Sequence, residues 1–131
     1  MLCYAMLWNA TSGDRVHTFF HLGDPTSGGA PSFSPDGVYV VFRCGRAAKL
    51  WNSVTGAHVH TFEGHTNRVE SVAFSPDGTK LLTSAKDGTA KILDARSGTC
   101  LQTLTYNEQQ YGPDVVLNAT FSPDGEHVLT T

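Results

Sequence analysis

The sequence predicts an all-β array of four-stranded antiparallel repeats, on three observations. Phe-Ser-Pro-Asp-Gly occurs at 33–37, 74–78 and 121–125, so its phenylalanines stand 41 and 47 residues apart. An apolar strand ending in Trp8, Trp51 or Leu93 is followed each time by Asn or Asp and, four residues further, by Gly13, Gly56 or Gly98. No stretch of the 131 residues carries a helical period. Self-similarity at such a period marks stacked repeats and takes precedence over element-by-element reading.

Taken in order, Tyr4–Trp8 reads as a short strand, and Asn9 to Gly13 as a tight turn leading into Val16–Phe19. The unit returns as Lys49–Asn52 before Val59–Phe62, and as Lys91–Asp94 before Leu101–Leu104. Apolar and polar positions alternate in these strands, as on a half-exposed sheet. In Phe-Ser-Pro-Asp-Gly, Pro presets the second turn position, Asp tolerates the third and Gly takes the fourth, which describes a type I turn. Val69, Val72 and Phe74 read as the strand before this turn, and Lys80–Thr83 as the strand after it. Asp24 to Gly29 is turn chemistry with no ligand pattern.

Gly64-His65, Phe74-Ser75-Pro76-Asp77-Gly78, Asp87-Gly88-Thr89 and Ile92-Leu93-Asp94 together resemble a WD repeat of a β-propeller. The resemblance covers nearly the whole chain and implies four strands per blade, a to d from the channel outward. By it, residues 1–22 supply strands c and d of a first blade, about 25–62 and 64–104 are whole blades, and about 112–131 supply strands a and b of a last blade. It implies a structural hydrogen-bond network of His65, Thr83 and Asp87, with Leu93 where a Trp belongs, and gives Trp8, Trp51 and Thr130 the corresponding places in the other copies. Those copies depart further: Asp24 and Gly112 fall where the His should be, and Phe42 where the hydroxyl should be. Restoring the indole by Leu93→Trp is expected to raise the melting temperature. A propeller closes its ring with roughly four to eight blades, so three blade-equivalents are expected to self-associate, as two or three chains.

Nine Lys and Arg against 12 Asp and Glu, a net −3, argue against a nucleic-acid or anionic-membrane footprint. Cys3, Cys44 and Cys100 form no Cys-x-x-Cys pair, so reduced thiols are expected, with neither a disulfide framework nor a zinc site. No signal peptide or membrane span is read, and an intracellular, cytoplasmic location is expected. His58 and His60 share a strand face without a carboxylate or thiol beside them, so no metal site is expected there, only a solvated edge. No phosphate loop and no cofactor site is found.

His65, Asp87 and Thr83 also have the residue types of a hydrolase triad. The chain offers no strained nucleophile turn and no oxyanion donors, and no catalytic residue is assigned. The expected function is a non-catalytic scaffold holding a protein or peptide partner where d–a and b–c loops converge. Arg68, Glu70 and Lys86 are the candidate contacts there, with Tyr106 and Tyr111 in a loop longer than its counterparts. The alternatives are a small-ligand or catalytic propeller using the channel, and a degenerate fragment of a larger repeat protein with no independent function.

Overall fold

A computed structural model describes residues 2–22, 30–105 and 118–131 of the chain. Among them there is no helix. Twelve strands run in order: β1 (Leu2–Trp8), β2 (Arg15–Leu22), β3 (Ser32–Phe33), β4 (Tyr39–Cys44), β5 (Ala47–Asn52), β6 (His58–Phe62), β7 (Val69–Phe74), β8 (Lys80–Ala85), β9 (Thr89–Asp94), β10 (Cys100–Thr105), β11 (Ala119–Phe121) and β12 (Val128–Thr130). They form two four-stranded antiparallel sheets, β3-β4-β5-β6 and β7-β8-β9-β10, flanked by the two-stranded sheets β1-β2 and β11-β12. The architecture is therefore two whole propeller blades and two half-blades.

Local chemistry accounts for the turns. In each Ser-Pro-Asp-Gly the glycine amide closes on the serine carbonyl: Gly37 to Ser34 and Gly78 to Ser75 at 2.9 Å, Gly125 to Ser122 at 2.8 Å. The serine hydroxyl donates to the aspartate and accepts the amide beginning the next strand, as with Ser75 Oγ to Asp77 Oδ1 at 2.6 Å and Lys80 N to Ser75 Oγ at 3.0 Å. The aspartate in turn accepts from the amide two residues on, so the short polar side chains replace absent ladder bonds. The second turn is an Asx turn. Asn9, Asn52 and Asp94 each accept two backbone amides on Oδ1 at 2.8–2.9 Å. Each turn ends at a glycine with φ of 76–77°, where a side chain would be strained.

The core lies between blades. One cluster packs Val41, Ala48, Leu50 and Phe62 of the first whole blade against Val72, Leu81 and Leu93 of the second. Another sets Cys3 and Phe19 of the first half-blade against Val40, Phe42, Cys44 and Trp51. A third joins Leu82 and Ala90 to Ala119, with Phe121 and Val128 against it. Because each central strand is covered on both faces, β8 is buried from Leu81 through Ala85, whereas the outermost β10 is mostly exposed. Full burial of a side chain such as Leu81 or Leu82 contributes roughly 1.5–3 kcal/mol.

Two contacts recur from blade to blade at the outer rim. His17 of β2 lies over Gly56 in the next blade's turn, 2.8 Å from where a Cβ would be, and bonds the Val54 carbonyl at 2.9 Å. His60 of β6 lies over Gly98 in the same way, and its ring meets Phe62 at 4.6 Å. The expected solvated edge is thus corrected at His60, which is half-buried, while His58 is exposed with its ring packed on Trp51 at 4.8 Å.

The expectation of three reduced thiols is also corrected. Cys3 and Cys44 form a disulfide across 41 residues, while Cys100 is free and exposed. The two cysteines fall in different repeats and sit in no paired motif. Only the stacking of β1 on β4 brings their Cα atoms to 5.9 Å.

Candidate functional site

The loop between β6 and β7 places His65 over the turn between β8 and β9. Its Nδ1 bonds Asp87 Oδ2 at 2.9 Å and its Nε2 bonds Thr83 Oγ1 at 2.7 Å. Asp87 also accepts the Thr66 amide at 3.0 Å, and the Thr89 amide and hydroxyl at 2.9 and 2.6 Å. Burial alone would raise the Asp87 carboxyl. The bonds from Thr89, His65 and the backbone amides outweigh it and hold the group below the usual carboxylate range. The arrangement ties a loop to a turn, and each Asp87 oxygen accepts two hydrogen bonds.

As a triad this site has the distances, but its hydroxyl is shielded. Thr83 is 1% exposed, and the His65 and Asp87 side chains only 5% and 8%, so the hydroxyl is withdrawn from the surface. Leu93 fills the expected indole position and is buried against Leu50 and Leu81. In the preceding blade Trp51 holds that position, and Phe42 stacks on it at 6.2 Å in place of a hydroxyl. Its indole Nε1 is buried and has no hydrogen-bond partner among the described residues. Trp8 is 55% exposed and Thr130 is exposed, and the structure does not bring them together.

Arg68, Glu70 and Lys86 do come together, at the paired ends of β7 and β8. The Lys86 amide bonds the Arg68 carbonyl at 2.8 Å, and Lys86 Nζ lies 3.8 Å from Glu70 Oε1. A residue of the preceding blade completes the cluster: Arg43 on β4 donates to Glu70 Oε2 and to the Val69 carbonyl, both at 3.0 Å. Arg43 lies outside every repeated motif, so its spacing carried no signal. Glu70 is consequently held on both sides, and Lys86, with its side chain 43% exposed, is the open member. Tyr106 and Tyr111 lie outside the described residues.

A cleft of about 460 Å³ opens beside the network, lined by Cys44, Arg46, Lys49, Glu63 and His65. Burial pulls the Lys49 ammonium below its ordinary range, and Thr61 Oγ1 accepts from it at 3.1 Å. Lys91 and Thr103 repeat that pair one blade on at 3.3 Å, which marks it as part of the blade. Among the described residues no group of three His, Cys, Asp or Glu could hold a metal, and no helix is long and apolar enough to cross a membrane.

The blade, its two turns and the His65–Asp87–Thr83 network define a WD-repeat β-propeller unit. The family model for the WD domain, G-beta repeat, matches residues 56–94. A guanine nucleotide-binding protein subunit beta of Solanum tuberosum is 33% identical over 129 residues, covering 92% of this chain and 33% of that protein. An uncharacterized WD repeat-containing protein of Synechocystis is 41% identical over 68 residues, 51% of this chain and 18% of that one. A target of rapamycin complex subunit of Schizosaccharomyces pombe is 56% identical over 36 residues, 28% of this chain and 12% of that one. The chain belongs to the WD-repeat family, and it spans a third or less of the length of these relatives.

Proposed function

We propose that the chain is a non-catalytic interaction scaffold that holds a protein or peptide partner on the face carrying Arg68, Glu70 and Lys86. The observation that carries this reading is the cluster at the blade end, where Arg43 and Lys86 flank Glu70 and fix charged groups on a rigid sheet. Pre-placed charges of both signs suit a polar partner, because little side-chain entropy remains to be lost on binding. Relatives named as a subunit of a complex or as a nucleotide-binding protein subunit support assembly with other chains. The burial of Thr83 counts against the catalytic alternative.

The test is quantitative recovery of partners on immobilised wild type beside Arg68→Ala/Lys86→Ala, with circular dichroism showing both folded. Loss of one or two contact residues at a binding centre lowers affinity by about tenfold or more, so partners should be depleted to that extent. Equal recoveries on both chains would remove this face.

A further inference from the structure

We propose that the cleft between the β4–β5 turn and the β6–β7 loop seats an acidic side chain of the partner, its carboxylate held by the Lys49 ammonium and the Arg46 guanidinium. The inference rests on the scaffold reading and names the chemistry of one contact. What carries it is a buried cation with little to answer it. Lys49 is 7% exposed and lines the cleft of about 460 Å³. An ammonium has three N–H donors, and Thr61 Oγ1 takes one of them at 3.1 Å. Among the described residues no second acceptor meets the others, and no carboxylate stands within ion-pair distance of the nitrogen. Glu63 acts on it only from farther off. A buried charge in this state is costly unless something enters to pair with it.

The blade by itself does not account for that burial. Lys91 and Thr103 repeat the Lys49–Thr61 pair, but there the lysine is half-buried and the threonine exposed. The hydroxyl contact belongs to the repeat, and the enclosed ammonium to this cleft. Its volume falls within the roughly 300–1,000 Å³ of ligand sites, and its charges select the occupant. Arg46 and Glu63 are both exposed at the cleft, so two cations stand with one carboxylate, and a single further negative charge balances them. His65 adds no donor, because Asp87 and Thr83 engage both of its ring nitrogens. A monoanion fits that balance better than a doubly charged phosphate, which Glu63 would repel more strongly. Arg46 supplies a planar fork for both carboxylate oxygens, and Lys49 a point charge.

The cleft adjoins the charged cluster already described. Gly45, in the β4–β5 turn, accepts the Val69 amide on its carbonyl at 2.8 Å, beside the Arg43 contact with Glu70. Cys44, Arg46 and Ala47 of the same hairpin wall the cleft. One turn therefore borders both places, so a single polypeptide can engage the two. This is why the carboxylate is assigned to a side chain of the partner and not to a free acid.

The test titrates the isotope-labelled 131-residue chain with acetylated, amidated hexaglutamate, followed by NMR. The amides of Ala47, Gly64 and His65 should shift and saturate, and hexaglutamine should move none of them. Lys49→Met should weaken hexaglutamate binding by about tenfold or more. Arg96→Ala removes the same charge from the turn after β9 and should leave the affinity within about twofold. Because Lys49 is a buried, underpaired charge, Lys49→Met should melt at or above the wild-type temperature. The proposal is overturned by wild type that shows no saturable shift, by an equal loss in Arg96→Ala, or by Lys49→Met melting several degrees lower. Tighter binding of inorganic phosphate or free glutarate than of the peptide would overturn it as well. The titration needs no recovered partner, so its failure is read separately from that of the Arg68→Ala/Lys86→Ala recovery.

Discussion

Leu93 and Trp51 occupy the same place in consecutive blades, and each leaves a different deficit. Trp51 keeps its ring packing but buries an indole N–H with no acceptor among the described residues, a loss of about 1–3 kcal/mol. Leu93 buries nothing polar but gives up the ring. Its neighbours have closed around it, with Leu81 and Val41 both 0% exposed. Leu93→Trp is therefore predicted to lower the melting temperature, against the expectation from the motif alone. Forcing the larger ring into this core costs about 1–3 kcal/mol, and one hydrogen bond to Thr83 returns about 1. A thermal melt followed by circular dichroism checks it, and an unchanged or higher midpoint would show that the core yields. The motif identified the missing donor from one position, but the sign of its replacement is set by the seven side chains of the cluster.

At the scale of the element, the turns were legible because their chemistry is contained in four or five consecutive residues. Ser75, Pro76, Asp77 and Gly78 carry their own hydrogen bonds, so the sequence suffices to read them. The Ser75 hydroxyl, with the amide and hydroxyl of Thr79, pulls the Asp77 carboxyl down to about 2. A folded-state value below the unfolded 3.8 means that its stabilisation is complete above about pH 4 and is lost as pH falls toward 2. Asp36 and Asp124, lowered first by Ser34 and Ser122, contribute with the same sign. Asp77→Asn should flatten the acid limb of stability between pH 4 and 2, measured as urea midpoints across that range; an unchanged slope would remove Asp77 from the account. The Cys3–Cys44 bridge was illegible because its partners meet only after two sheets have stacked. Replacing both by serine should lower stability by about 2–4 kcal/mol. Thiol titration of the wild type should find one reactive group, Cys100, before reduction and three after it. Three before reduction would mean that the bridge does not form.

Across the whole molecule, the repeat spacing disclosed the blades and the order of their strands, because each blade is a local hairpin series. Contacts between blades stayed hidden: Arg43 with Glu70, Cys3 with Cys44, and His60 over Gly98 join residues whose relation depends on how one sheet lies upon the next. Trp8 and Thr130 show the limit most plainly. Their places in the motif could be counted, yet within one chain they stand apart and exposed.

The histidines seated over Gly56 and Gly98 bear on how the array comes apart. In a linear stack, stability divides into what each unit holds by itself and what it shares with its neighbour. His17 and His60 belong to the shared part, since each spans from one blade's last strand to the following blade's turn. They act as nearest-neighbour coupling, and it is coupling of this kind that makes separate blades melt as a single cooperative unit.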